Sequence, residues 1–216
     1  MKKRTIFFIV CIIVIADQAL KIYVKTHYYI GESHPVIGNW FKLYFIENAG
    51  MAYGWRFGGQ WGKIILTLFR LAAVIIGFFY IKKIITKKYH PGYIICISLI
   101  FAGALGNLLD SLFYGMIFSN SSDVFNNIAR IFPPHGYAGF LHGRVVDMLY
   151  FPIIHINRLP GWIPFFGGNE FSFFNYIFNI ADASVSIGVI SIILFRKHFF
   201  KPVPEKINQE SEAVCE

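Results

Sequence analysis

The chain has 216 residues, of which 56% are hydrophobic, 19% aromatic and only 15% charged. A soluble domain carries about 25% charged residues, so this is the composition of an integral membrane protein, and it excludes an ordinary soluble enzyme. The net charge of +8 is no nucleic-acid footprint either, because the basic residues stand at the ends of apolar runs, where membrane topology accounts for them.

Taken in order, four apolar spans emerge. Lys2-Lys3-Arg4 precedes the first, over about 6–24, which gives about 28 Å of helix against a hydrocarbon core of roughly 30 Å. A charged head before a short apolar run also describes a secretory signal. Here, however, Asp17-Gln18 interrupts the run, no small-x-small cleavage site follows, and three more spans come after it. The segment is therefore expected to remain as an uncleaved helix. Residues 25–61 hold Trp40-Phe41-Lys42-Leu43-Tyr44-Phe45, an alternation that suggests a strand. The second span covers about 62–81 and contains Arg70, expected to be satisfied by backbone carbonyls or a carboxylate. A short connection crowded with Lys82, Lys83, Lys87 and Lys88 leads to the third span, about 92–114.

Residues 115–172 form a long connection rich in Asn, Pro, Gly and aromatics, in which Arg144 to Phe151 reads as a short element at the membrane interface. The fourth span, about 176–195, ends at Arg196-Lys197-His198. A helix from Tyr176 would put Asp182 about 9 Å along its axis. The basic clusters all fall on one side of a four-span chain, and the positive-inside rule makes that side cytoplasmic. The expected fold is mainly α, a polytopic membrane protein. It has four transmembrane helices with both termini cytoplasmic, a small β-containing outer segment and a long outer loop. Residues 1–201 form a single membrane domain, and residues 202–216, with four Glu and two Pro, a disordered cytoplasmic tail.

This topology brings polar residues to one depth. Asp17 and Lys21 lie toward the outer end of span one, Asn107 and Asp110 near the end of span three, and Asn179 and Asp182 open span four. Asn48 and Asp147 lie on outer segments that can fold back to the same level. An ionisable group in a membrane helix costs about 2.5–3.5 kcal/mol on insertion scales, so each needs a partner or a function. Of the five Asp residues, only Asp123 reads as a plain loop residue. Taken singly, each of the others is as well explained by a helix cap or an ion pair; their convergence on one layer is what points to a site.

Two carboxylates sharing a site do not both ionise easily. One keeps a proton to donate and the other activates a water, the acid/base pair for amide hydrolysis without metal or covalent intermediate. Asp147 and Asp182 are the best candidates, one on an outer segment free to move and the other on a helix. Asp17 is more simply held by Lys21, four residues on, whose side chain is also long enough to snorkel, and Asp110 is flanked by helix-packing residues. Other chemistries have less support. His135, His142 and His155 lack the spacing of a His-Glu-x-x-His zinc site, the three cysteines form no disulfide or metal pattern, and no Gly-x-Ser-x-Gly elbow occurs. Ser184, Ser186 and Ser191 read as helix-packing residues. A proton-coupled small membrane transporter also suits intramembrane Asp and Lys residues, although such carriers favour a midplane site and inverted repeats, neither of which is visible. A non-catalytic scaffold would leave the four carboxylates unexplained.

Five segments in order are Asp17-Gln18-x-x-Lys21, Asn48-x-Gly50, Gly103-Ala104-Leu105-Gly106-Asn107-Leu108-x-Asp110, Val145-Val146-Asp147 and Phe178-Asn179-x-Ala181-Asp182. Through them the chain resembles the lipoprotein signal peptidases, the type II signal peptidases of bacteria, over most of its length. The resemblance implies an aspartic endopeptidase without cofactor that cleaves lipidated prolipoproteins just before the diacylglyceryl-modified cysteine. It implies a multi-pass protein of the bacterial cytoplasmic (inner) membrane with its active site on the outer, periplasmic side, inhibited by globomycin-type compounds. Its partners would be prolipoproteins and membrane lipids, with no nucleic acid; the sequence leaves the oligomeric state open, a monomer being compatible. Carried over by position, Asp147 and Asp182 are the catalytic pair, and Asp17, Lys21, Asn48, Gly50, Gly103, Asn107, Asp110, Asn179 and Ala181 shape the site or bind substrate. This sequence departs from the family at Ser111, where an Arg is usual, so that a cation is expected from elsewhere, Arg144 or Arg130. It departs again at Met51-Ala52-Tyr53, and in the lengths of the outer connections on either side of Asp147.

Overall fold

A computed structural model describes residues 3–49, 59–122, 127–152, 154–156, 162, 168, 171–173 and 176–200. Gly50, Met51-Ala52-Tyr53, Asp123 and the 202–216 tail lie outside the described residues. In chain order the elements are α1 (Lys3–His27), β1 (Ser33–Ile37), β2 (Phe41–Asn48), α2 (Gly59–Thr86), α3 (Pro91–Ile117), β3 (Val145–Tyr150), β4 (Ile154–Ile156), β5 (Phe171–Phe173), β6 (Ile177–Phe178), α4 (Ile180–Leu194) and α5 (Arg196–Phe199).

Three helices, Lys3–His27, Trp61–Thr86 and Pro91–Ile117, are long and apolar enough to cross a membrane. They follow the first three expected spans and run a few residues past them at both ends. Chemistry at the boundaries explains where α3 begins. His90 caps it, its Nδ1 accepting from the Gly92 N–H at 3.1 Å, and Pro91 takes the first helical position, where a missing N–H and a fixed φ do no harm. Large apolar side chains such as Phe7, Ile12, Phe69, Ile76, Ile190 and Ile193 stand exposed on the helices, as a lipid-facing surface requires.

The fourth helix corrects an expectation. Tyr176 does not begin it. Ile177 and Phe178 pair instead with Tyr150 and Leu149 of β3, and the helix starts at Ile180, capped by the extended residue Asn179 (φ −122°, ψ 177°), whose side chain accepts from the Asp182 N–H. Asp182 therefore sits in the first turn, at the mouth of the helix. α4 has 15 residues, about 22 Å.

The Trp40–Phe45 alternation forms β2, as expected, and Arg144 to Phe151 contains β3. The sheet runs β1-β2-β3-β6, all antiparallel. β3 is interior, with its first four residues buried, so Asp147 is held in a covered strand and not on an outer segment free to move. Its register sets Ile46 opposite Asp147 and Asn48 opposite Val145, so Asn48 lies diagonal to Asp147 on the same face. Residues 118–122 and 127–144 fold back over this end: Phe118 bridges Ile131, and Phe118 and Ala129 join Val24, Phe45, Val146 and Met148 in one core. A second core, around Ile6, Ile84, Tyr93 and Ile94, closes the opposite end. α3 and α4 pack closest at Gly103, where any Cβ would collide with the Ala181 carbonyl, and Ser184 bonds the Leu99 carbonyl at 2.8 Å across the same seam. The packing role expected of that serine is what it performs.

Candidate active site

The polar residues expected to converge do so where α1, α3, β3 and the start of α4 meet. Two linked clusters result. In the first, the Lys21 ammonium lies 2.8 Å from Asp17 Oδ2, 2.7 Å from Asp110 Oδ2 and 2.9 Å from Asn107 Oδ1. Those three acceptors use all three of its donors. Lys21 does not snorkel; it is fully buried, as are both carboxylates. Gln18 Nε2 donates to Asp110 Oδ1 at 2.8 Å, and Gln18 Oε1 accepts from the Tyr114 hydroxyl behind it. Asp17 Oδ1 accepts the Ala181 N–H at 2.9 Å, placing a carboxylate against the open first turn of α4, where the helix dipole favours a negative charge. This contact needs small neighbours. A Cβ at Gly106 would lie 2.8 Å from Asp17 Oδ2 and 3.2 Å from the Ala181 Cβ.

The second cluster contains Asp147 and Asp182. Asn107 Nδ2 donates to Asp182 Oδ1 at 2.8 Å, and Asn179 Nδ2 donates to Asp147 Oδ1 at 2.7 Å. The orientation of each amide is set by a group that can only donate. Lys21 requires the oxygen of Asn107, and the Asp182 N–H, at 2.8 Å, requires the oxygen of Asn179. Each NH2 group must therefore face a carboxylate. Asn179 Nδ2 also reaches Asn107 Oδ1 at 3.2 Å, which joins the two clusters. Asn48 adds a side-chain bond to Asp147.

Asp147 is buried and Asp182 half-buried. Burial first, and then the charge of Asp182, push the Asp147 carboxyl up to about 7, against the lowering effect of Lys21, Asn179 and Asn48. The strand supplies one carboxylate and the first helical turn the other. β3 and β6 align them: antiparallel pairing of Leu149 with Phe178 runs the chain back from Leu149 to Asp147 alongside the chain running on to Asn179. A buried carboxyl that holds a proton near neutrality, beside a second that reaches solvent, can act as acid and base on one water.

Of the residues expected in the site, Asp17, Lys21, Asn48, Asn107, Asp110, Asp147, Asn179, Ala181 and Asp182 come together, Gly103 packs the helices beneath them, and Gly50 lies outside the described residues. The cation expected near Ser111 is neither Arg144 nor Arg130. Arg144 turns to Glu47 Oε2 at 2.9 Å and to Asn120, and Arg130 is exposed. Instead Arg70 Nη1 donates to Ser111 Oγ at 2.7 Å, a hydroxyl rather than the backbone carbonyl or carboxylate expected. The sequence motif contained Gln18 but not its part in the site, and the Asp110–Lys21 contact was missed. The part of Gln18 could have been found from its place as the second polar residue interrupting span one.

A third buried polar group lies nearby without joining the site. Lys25 pairs with Glu47 and bonds Ser121 Oγ at 3.2 Å, with the rings of Phe45, Phe118 and Tyr137 around its ammonium. Burial opposes ionisation of Glu47, but the Lys25 charge and hydrogen bond, reinforced by Arg144, outweigh it and hold its carboxyl below the usual range.

Comparison with known proteins gives one consistent family. Residues 9–198 match the family described as Signal peptidase (SPase) II. A lipoprotein signal peptidase of Porphyromonas gingivalis is 42% identical over 216 residues, covering 94% of this chain and 91% of that protein. One from Amoebophilus asiaticus is 34% identical over 188 residues, covering 85% and 74%. A bacterial membrane enzyme solved by the in meso method at 2.3 Å resolution is 29% identical and superposes with a TM-score of 0.57 over 94% of each chain.

Proposed function

The chain belongs to the signal peptidase II family, and on that premise we propose that Asp147 and Asp182 are the acid/base pair with which it hydrolyses its substrate. It is an aspartic peptidase of the membrane that removes the signal peptide from lipoproteins. The transporter reading is not favoured. The observation that carries the proposal is that one amide, Asn179, ties the pair together, donating to Asp147 Oδ1 at 2.7 Å while accepting the Asp182 N–H at 2.8 Å.

In this reading the pair holds one proton and titrates as a unit. The buried Asp147 keeps the proton and the half-buried Asp182 faces the water. Asp182 takes a proton from the water as its oxygen attacks the scissile carbonyl carbon, and Asp147 gives its proton to the carbonyl oxygen. The resulting tetrahedral intermediate collapses as the carbon–nitrogen bond breaks, and the leaving amine takes the proton that Asp182 had gained. The gem-diol returns the proton to Asp147.

The finer topology belongs to the same proposal. α4 is the fourth crossing, extended by the turn of α5, and residues 1–201 form one membrane domain. The basic residues at the start of α1, at the end of α2 and in the turn to α3, and after α4 mark the cytoplasmic face, with both termini there. The sheet end then lies at the outer, periplasmic side of the cytoplasmic membrane, at the depth where a diacylglyceryl-modified cysteine would sit in its own leaflet. Lipid contact with that group, cleavage just before it, globomycin inhibition and a monomeric state complete the reading.

The test is cleavage of a lipidated and an unlipidated precursor by the purified full chain. The lipidated precursor is expected to be cut at the bond before its modified cysteine. Asp147→Asn and Asp182→Asn each lose at least about 10³-fold in kcat while keeping the wild-type elution profile and a cooperative unfolding transition. Substantial cleavage by either variant would remove the mechanism.

A further inference from the structure

Arg70 is the single charged residue of α2 between Lys63 and Lys82, in a stretch where a guanidinium is costly to insert and needs a reason. Among the described residues its hydrogen-bond partner is Ser111 Oγ alone, at 2.7 Å. Ser111 uses its own proton on the Asn107 carbonyl at 2.9 Å, so the hydroxyl can only accept from Arg70. Three neighbouring acids feel the guanidinium charge, Asp110, Asp182 and Asp147, yet none is within the 4.0 Å of an ion pair among the described residues. Lys21, by contrast, touches Asp17 and Asp110 directly, and its charge is balanced at close range. The site therefore gathers four carboxylates around one locally neutralised ammonium and one cation whose charge is undischarged.

We propose that Arg70 is a positioning residue for the hydrolysis: anchored by Ser111 across the α2–α3 seam, it supplies the field that keeps one member of the Asp147/Asp182 pair ionised. The inference rests on the peptidase reading of that pair. The groups facing the pair are Lys21 and Asp17 from α1, Asn48 from β2, Asp110 and Asn107 from α3, Asn179 before α4, and Arg70 from α2. Lys21 favours ionisation of Asp147 but is shared with Asp17 and Asp110, and Arg70, which feels the charge of both members, is the second source of positive potential at the pair.

The sign follows directly. Without the cation the pair binds its proton more tightly, and the acid limb of kcat against pH moves upward. Arg70→Gln keeps an N–H donor for Ser111 and removes the charge. On the lipidated precursor it is expected to lower kcat at neutral pH at least about tenfold, leave KM within about threefold, and raise the acid limb by about one pH unit. Arg70→Lys returns the limb toward its wild-type position. Arg70→Ser combined with Ser111→Arg places the guanidinium on the opposite helix of the same pair, and is expected to recover most of the activity that Arg70→Ser alone loses. An acid limb unmoved in Arg70→Gln, or a swapped variant no better than Arg70→Ser alone, would overturn the proposal. Should Arg70→Gln fail to fold, as read by its elution and unfolding profile, the swap decides alone by the same criterion. Asp147→Asn and Asp182→Asn run beside these variants. If they retain cleavage the peptidase reading fails, whatever Arg70 does.

Discussion

Asp17 with Asp110, and Asp147 with Asp182, are two neighbouring pairs of carboxylates where α1, α3, β3 and α4 meet, and their surroundings are opposite. The first pair shares an ammonium, with Lys21 in contact with both at 2.8 and 2.7 Å. The second pair is served by the neutral amides of Asn107 and Asn179. An amide donates a hydrogen bond and no charge. The first pair therefore has a cation in contact, binding helices together and filling the open end of α4, while the second has none at ion-pair distance among the described residues. On the proposed mechanism the same side chain is thus structural or reactive according to whether its partner is a cation.

The largest expected effect comes from removing the cation of the first pair. Lys21→Met leaves two fully buried carboxylates without a counter-charge, and is expected to lower the unfolding free energy by about 3–5 kcal/mol, read by thermal or denaturant unfolding in detergent. If Lys21→Met unfolds like the wild type, the contrast between the pairs collapses.

A smaller effect of opposite sign should come from the second pair. The Asp147 carboxyl is raised from 3.8 to about 7, chiefly by burial and next by Asp182, so folding favours its proton-bound form. The stability that proton brings is complete below the unfolded value near 3.8 and is lost as pH rises through 7. Asp147→Asn, which has no charge to bury, should therefore unfold at a higher temperature than the wild type at pH 8, by about 5 °C. The difference should close toward pH 4. A variant less stable than the wild type at pH 8 would mean that the carboxylate is not strained in the folded state.

The smallest effect sharpens the comparison from outside. Glu47 is clamped by buried Lys25 and by Arg144, whose side chain is 37% exposed. Arg144→Ala removes a solvent-screened partner and is expected to cost under about 1 kcal/mol. The same unfolding assay should separate it from Lys25→Met, which strips the buried partner and belongs with Lys21→Met in size.

The three long helices were legible because a membrane span announces itself by apolar length, and β2 because Trp40 to Phe45 alternates. The Asp17–Lys21 contact was legible as an i, i+4 pair. The start of α4 was not. Ile177 and Phe178 are as apolar as the helix that follows, and only their pairing with Tyr150 and Leu149, nearly thirty residues earlier, makes them a strand. The contacts of Asp110 with Lys21 and of Arg70 with Ser111 were hidden for the same reason: both join residues far apart in sequence through packing between helices. The convergence of the acids at one depth could still be read, since depth along a helix depends only on residue number, whereas which acid meets which cation depends on how the helices are rotated.

Asn179 caps α4 with the oxygen of its amide and steadies Asp147 with the nitrogen. The two jobs cannot be separated. Fraying of that first helical turn would swing the amide away and break its bond to Asp147 in the same motion, so an intact helix entrance and the full cradle of the proposed proton donor exist together or not at all. On that proposal a partly unwound enzyme would be an idle one, unable to hydrolyse bonds at random while its walls are open.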